Sequence, residues 1–155
     1  MHKINIVVVG QLKEKYLKDA ENEYLKRLGR FAQVEIREVN EFLSSSKTNV
    51  EQIQTMECLE LEKKLVGYVV SMDKSGDLVS SEDIAKLISK NFADGAKALT
   101  FVIGGSNGLT SEFLKKSDKV VSFGKITYPH QLMRVLLLEQ IYRAETIINN
   151  ITYHK

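Results

Sequence analysis

Three short stretches carry residue types that chemistry could use. The first, Gly104-Gly105-Ser106-Asn107-Gly108, follows directly on the apolar run Leu99 to Ile103. Glycines so close together let a main chain bend sharply or approach a ligand, because no Cβ stands in the way. The same residues also serve a plain strand-to-helix connection, so their company decides between the two. The second stretch is Phe123-Gly124-Lys125-Ile126-Thr127-Tyr128, which runs into Pro129, the one proline of the chain. The third begins at Met72 and continues into Asp73-Lys74-Ser75-Gly76-Asp77, a turn composition.

Several other chemistries lack their residues. The first apolar run ends in Gly10-Gln11-Leu12-Lys13, which is not the glycine-rich turn of a dinucleotide fold. Gly124-Lys125 has neither the earlier glycine nor the following Ser or Thr of a phosphate loop, so no pyrophosphate cofactor is expected. His2, His130 and His154 have no Cys or His partner at ligand spacing, and no metal is expected. Ser106 stands outside any Gly-x-Ser-x-Gly elbow, which argues against a hydrolase.

The elements that must position these stretches alternate along the chain. Ile4 to Val9 is a continuous aliphatic run, the pattern of a strand buried on both faces. A helix is predicted from about Leu12 to Leu28, with Leu17, Ala20, Tyr24, Leu25 and Leu28 on one face and Gly29 after it. Its other face mixes lysines and arginines with acids, which reads as a solvated face with i,i+4 pairs. Val34 to Val39 alternates and reads as an edge-like strand. Asn40 to Asn49 is a loop, and Val50 to Leu65 is a surface helix. Gly67 to Met72 is a buried strand, Asp73 to Asp77 a turn, and Ser80 or Ser81 caps a helix that buries Ile84, Leu87, Ile88 and Phe92. Leu99 to Ile103 is the central strand. A short helix starts at Thr110 or Ser111, Val120-Val121 is a short strand, and Pro129 sets the first turn of a final helix from His130 to Asn149. The apolar residues of that helix wrap more than one face, which predicts a homodimer.

Such alternation implies an α/β fold, a mostly parallel sheet with helices on both faces, in one domain spanning residues 1–155. Ligands of such sheets sit beyond the carboxyl ends of the strands. Met72, Gly104 and the loop from Phe123 to Tyr128 all fall there. Short loops that offer N–H and C=O groups suit a flat heterocycle with a neutral ribose, such as an adenosine moiety. Net charge of +2, from 22 basic and 20 acidic residues, gives no global case for a polyanion partner. The longest apolar run, Val135 to Leu138, is far short of the roughly 20 residues a bilayer span requires. The lone Cys58 and a first segment without a secretory apolar core place the chain in the cytoplasm.

Four segments resemble the ribosomal large-subunit methyltransferase H family of the SPOUT class: Phe101 to Gly108, Ser122 to His130, Arg134 to Ala144, and Tyr153-His154-Lys155. The likeness covers essentially the whole chain. It implies S-adenosylmethionine as cofactor and methylation of N3 of a pseudouridine in large-subunit (23S) ribosomal RNA, on assembled ribosomes. It also implies a C-terminal trefoil knot and a homodimer. Carried across residue by residue, the cofactor contacts fall on Met72, Gly104, Phe123, Gly124, Lys125, Ile126, Thr127 and Tyr128. Gly124 stands where many members have serine and Lys155 where many have arginine. Loss of the N3 proton calls for a base, and the resemblance makes His154 the candidate, with Tyr153 orienting the target and Lys155 holding phosphate. Arg134 and Arg143 suit interface or loop hydrogen bonds, Arg134 being the candidate RNA contact, and one of them should pair with Glu139. His130 reads as a capping or packing residue. Two rivals remain: a non-catalytic RNA- or ribosome-binding module, and a small-molecule adenosine-nucleotide enzyme.

Overall fold

The computed structural model describes residues 1–155. Its elements follow one another as β1 (His2–Val9), α1 (Lys15–Leu28), β2 (Ala32–Val39), α2 (Val50–Glu62), β3 (Tyr68–Leu78), α3 (Ser81–Ala93), β4 (Leu99–Ile103), α4 (Ser111–Lys116), β5 (Lys119–Ser122) and α5 (His130–Ile148). All strand pairings are parallel, in the order β2-β1-β4-β3-β5. The expected parallel α/β sheet is what forms.

Strand periodicity divides the core in two. Ile4, Ile6 and Val8 of β1 point the same way as Leu99, Phe101 and Ile103 of β4, and pack with Leu137, Leu138 and Ile141 of α5. Val7, Val9, Val39 and Val102 face the opposite side, against Cys58 and Leu61 of α2 and Phe113 of α4. Both faces of β1 and β4 are thus covered, which is why these strands read as unbroken aliphatic runs. Each fully buried Leu or Ile contributes roughly 1.5–3 kcal/mol. β2 forms one edge of the sheet and alternates between wet and dry positions. On the outer face of α1 the pairs Lys15–Asp19 and Arg27–Glu23 form at i,i+4 spacing.

Several boundaries differ from expectation, β1 and β2 each starting two residues earlier, at His2 and Ala32. α1 starts at Lys15, because Leu12 is spent earlier, packing with Leu17 and Val135. Asn49 and Gln52 form a reciprocal capping box that sets the start of α2, which ends at Glu62. The Asp73–Asp77 turn lies inside β3 as an irregularity: Met72 and Asp77 both pair with Val121, and the residues between them are looped out. Asp73 Oδ2 accepts the Ser75 N–H at 2.9 Å to close that excursion. Gly76 lies so close to β5 that a Cβ would come within 2.6 Å of the Val120 carbonyl carbon, so no larger residue fits there. Pro129 is the N-cap of α5, one position before its first turn. No helix is long and apolar enough to cross a membrane.

Candidate cofactor cleft and catalytic tail

A cleft of about 340 Å³ opens beyond the carboxyl ends of β3, β4 and β5. Three loops make its walls. After β4, Gly108 takes φ +76 and its N–H donates to Gly105 O at 3.0 Å, folding the glycine loop on itself. A Cβ on Gly104 would lie 2.9 Å from the Gly108 carbonyl carbon, so that position is closed to side chains. After β5, Ser122 Oγ accepts the Gly124 N–H at 3.1 Å and turns the chain back over the cleft. Gly124 has φ +112, a conformation side chains rarely adopt, which gives a backbone reason for glycine here. From the β3 excursion, Lys74 Nζ donates to Thr127 Oγ1 and ties the third loop to the second.

Met72, Gly104, Phe123, Gly124, Ile126, Thr127 and Tyr128 all line this cleft; Lys125 does not. Asp73, Lys74, His130 and Met133 join them without having been singled out as ligand contacts. Bare main chain beside Met72, Ile103 and Phe123 offers apolar walls with N–H and C=O groups between them. Such a site takes a flat ring by stacking and edge hydrogen bonds.

Support for the glycine loop comes from α2, which its weak amphipathic pattern concealed. Gln54 Nε2 donates to Asn107 O, and Cys58 Sγ accepts the Thr110 N–H at 3.5 Å. Glu57, 2 % exposed, lies directly beneath Gly105. Its Oε2 accepts the Phe42 N–H at 3.1 Å, while its Oε1 is buried without a partner. Burial pushes this carboxyl above the usual carboxylate range.

The tail is organised differently. Glu139 pairs with Arg143, as one of the two expected arginines should. Tyr153 Oη donates to Glu139 at 3.1 Å, and the Arg143 guanidinium lies 4.7 Å from the Tyr153 ring centre. Burial also pushes the Tyr153 phenol upward. His154 Nδ1 lies 3.2 Å from Arg143 Nη1, and Nε2 lies 2.7 Å from Glu82 Oε1 at the start of α3. Arginine only donates, so Nδ1 accepts and the ring proton sits on Nε2, donated to Glu82. The bond from His154 holds Glu82 below its usual value. Tyr153 and His154 therefore stand outside the cleft of their own chain. A neighbouring groove of Val79, Ser81, Ile84 and Leu136 shares Phe123 and Tyr128 with the cleft wall, and Glu82, which His154 meets, follows directly on Ser81 of that groove. Lys155 is exposed at the end of the chain.

Arg134 is placed far from any RNA-facing role. It is 4 % exposed, with Nε and Nη2 on Glu21 at 2.6 and 3.2 Å and Nη1 on Glu38 at 2.8 Å. This buried ion pair joins α5 to α1 and β2, and it leaves the guanidinium engaged on its Nε and both Nη atoms. Neither acid could be chosen from sequence, because each lies about a hundred residues away.

A family model described as "Predicted SPOUT methyltransferase" matches residues 2–154. Proteins named "Ribosomal RNA large subunit methyltransferase H" are similar over nearly the whole length. That of Ruminiclostridium cellulolyticum is 44% identical, covering 99% of both chains, and that of Limosilactobacillus reuteri is 46% identical, covering 98% of this chain and 99% of its own. Among solved structures, a probable methylase family protein from Haemophilus influenzae superposes with a TM-score of 0.58 at 16% identity, over 98% of this chain and 70% of that one. A probable methyltransferase from Bordetella pertussis gives 0.56 at 10% identity, over 93% and 96%. These two share the fold. With nearly the full length matched and a cleft at the carboxyl ends of the parallel strands, the chain belongs to the SPOUT methyltransferase family, among its methyltransferase H proteins.

Proposed function

We propose that this protein is an S-adenosylmethionine-dependent methyltransferase acting on N3 of a pseudouridine in large-subunit ribosomal RNA, on assembled ribosomes in the cytoplasm. The observation that carries this reading is the cleft itself, where three loops far apart in sequence meet and present main-chain groups around an apolar slot. The residues present fit the cofactor: glycine stands where a Cβ would collide, and the one lysine of the lining, Lys74, is tied to Thr127. Bound there, the cofactor supplies a methyl on a positively charged sulphur, which is left as a neutral thioether. The names of the relatives point to ribosomal RNA as acceptor. The resemblance adds the C-terminal trefoil knot and the position of the methyl.

The chain's own contribution is positional. Met72 and Phe123 wall off water, and the loop from Phe123 to Tyr128 fixes the adenosine. Holding two reactants in line supplies much of the rate in such transfers. The N3 proton must leave before the nitrogen attacks, and His154 is the base we propose, with Tyr153 orienting the target and Lys155 holding phosphate. Because the tail lies outside its own cleft, a homodimer in which the tail of one copy serves the cleft of the other reconciles these roles. Ile126 (69% exposed) and Leu132, exposed near the cleft, and the partly buried Leu136 beside it give that dimer an apolar face. For catalysis His154 Nδ1, the ring atom with the free lone pair, must leave Arg143, a single 3.2 Å hydrogen bond. Mass mapping of ribosomal RNA from cells with and without the chain tests the whole reading. A pseudouridine methyl that vanishes with the chain supports it, and an unchanged map overturns it.

A further inference from the structure

Beside one end of the cleft, behind His130 and Ser106 of its wall, lie groups without a role so far. Gly10, buried at the end of β1, takes φ +89. The space a side chain there would occupy is faced by His130 Nε2 at 3.6 Å and by Glu41 Oε2 at 3.8 Å. His130 opens α5 and lines the cleft, yet its Nε2 is buried with no hydrogen-bond partner. Buried polar atoms in folded proteins are nearly always paired, so an orphan on a residue of the cleft wall is one that a bound ligand can satisfy by a turn of the ring. The same helix end has no side-chain cap, so its first N–H groups and the helix dipole favour a negative group nearby. The other oxygen of Glu41 accepts the Ser106 hydroxyl at 3.3 Å, and Ser106 also lines the cleft. A ring nitrogen and a carboxylate that both face the space beside one bare glycine match an α-amino acid, which carries a carboxylate and an ammonium on a single carbon.

We propose that His130 binds the amino-acid end of the methyl donor, its Nε2–H donating to the donor's carboxylate while Glu41 faces the ammonium. This rests on the cofactor reading given above. His130 is then neither a cap nor the base: it sets which adenosine derivatives the cleft accepts.

Calorimetry on the full-length protein with three compounds tests this. S-adenosylmethionine carries both charged groups, decarboxylated S-adenosylmethionine keeps only the amine, and 5′-methylthioadenosine has neither. His130→Ala should weaken S-adenosylmethionine at least tenfold and leave the other two within about twofold. Glu41→Gln should weaken both amine-bearing compounds and spare methylthioadenosine. His130→Asn, which keeps a donor, should recover part of the loss, and it serves as the test variant if the alanine protein fails to fold. Equal weakening of all three compounds by His130→Ala and by His130→Asn would reduce His130 to packing, and unchanged S-adenosylmethionine affinity would remove it from the site; either overturns the proposal. If the wild-type protein binds none of the three, the cofactor reading itself falls, and this inference with it.

Discussion

The cleft and the tail are two ends of one proposed site, held by opposite means. The cleft is main chain, pinned by the ends of β3, β5 and the fully buried β4 and propped from below by α2. The tail is side chains, a half-buried run from the exposed Glu82 through His154 and Arg143 to Glu139 and Tyr153. Rigid backbone suits a cofactor whose shape never varies. Weakly held side chains suit groups that must let go and meet an RNA. Substitutions in the cleft should therefore act through sterics and stability together, and substitutions in the tail through turnover alone.

The largest effect should come from the boundary between them, on α5. Arg134→Ala strands the largely buried carboxylate of Glu21, while Glu38 can turn to water, so the loss should lie toward the lower end of the about 3–5 kcal/mol that breaking a buried pair costs. A melting temperature lowered by more than about 6 °C is expected. Arg143→Ala, on the tail side of the same helix, should barely move the melt. Equal shifts would erase the contrast.

Gly104→Val comes next. Its Cβ would meet the Gly108 carbonyl carbon at 2.9 Å and Leu109 side-chain atoms at 3.1 Å, an overpacking worth roughly 1–3 kcal/mol. S-adenosylmethionine should give no heat with this variant, while the protein stays folded at room temperature. Normal binding would mean that the glycine loop is only a turn.

Glu57 offers a pH test. Burial raises its folded pKa above the unfolded value near 4.5, so the native state keeps a proton that the unfolded chain has lost. Stability from this group is full below that unfolded value and is lost as pH rises through the raised one. Glu57→Gln, neutral throughout, should be more stable than wild type at pH 7 and match it in acid, as denaturant midpoints at the two pH values will show. A variant less stable at pH 7 would mean that the charged form is needed.

The smallest effect on stability should be that of His154→Ala. We expect an unchanged melt and unchanged cofactor binding, with turnover on ribosomes lost. Unchanged turnover would remove the histidine from the mechanism.

Much of this was legible in the chain itself, and for physical reasons. The runs Ile4 to Val9 and Leu99 to Ile103 announce doubly covered parallel strands, and parallel strands align their carboxyl ends, so Met72, Gly104 and Phe123 had to meet. Lys125 fell outside the cleft because a contiguous loop cannot aim every residue inward. Periodicity was blind to contacts between distant positions. Nothing local tells Glu21 and Glu38 to converge on Arg134, or Glu57 to sit under Gly105. His130 looked like a helix-start residue because the Gly10 backbone facing it lies at the other end of the chain.

A crystal grown with S-adenosylmethionine tests the central claim most directly. The account predicts the adenosine lodged between Gly104 and the loop from Phe123 to Tyr128, with its ring edge on main-chain N–H and C=O groups. A cofactor bound elsewhere, or held in this cleft chiefly by side chains with those loops drawn apart, would contradict it.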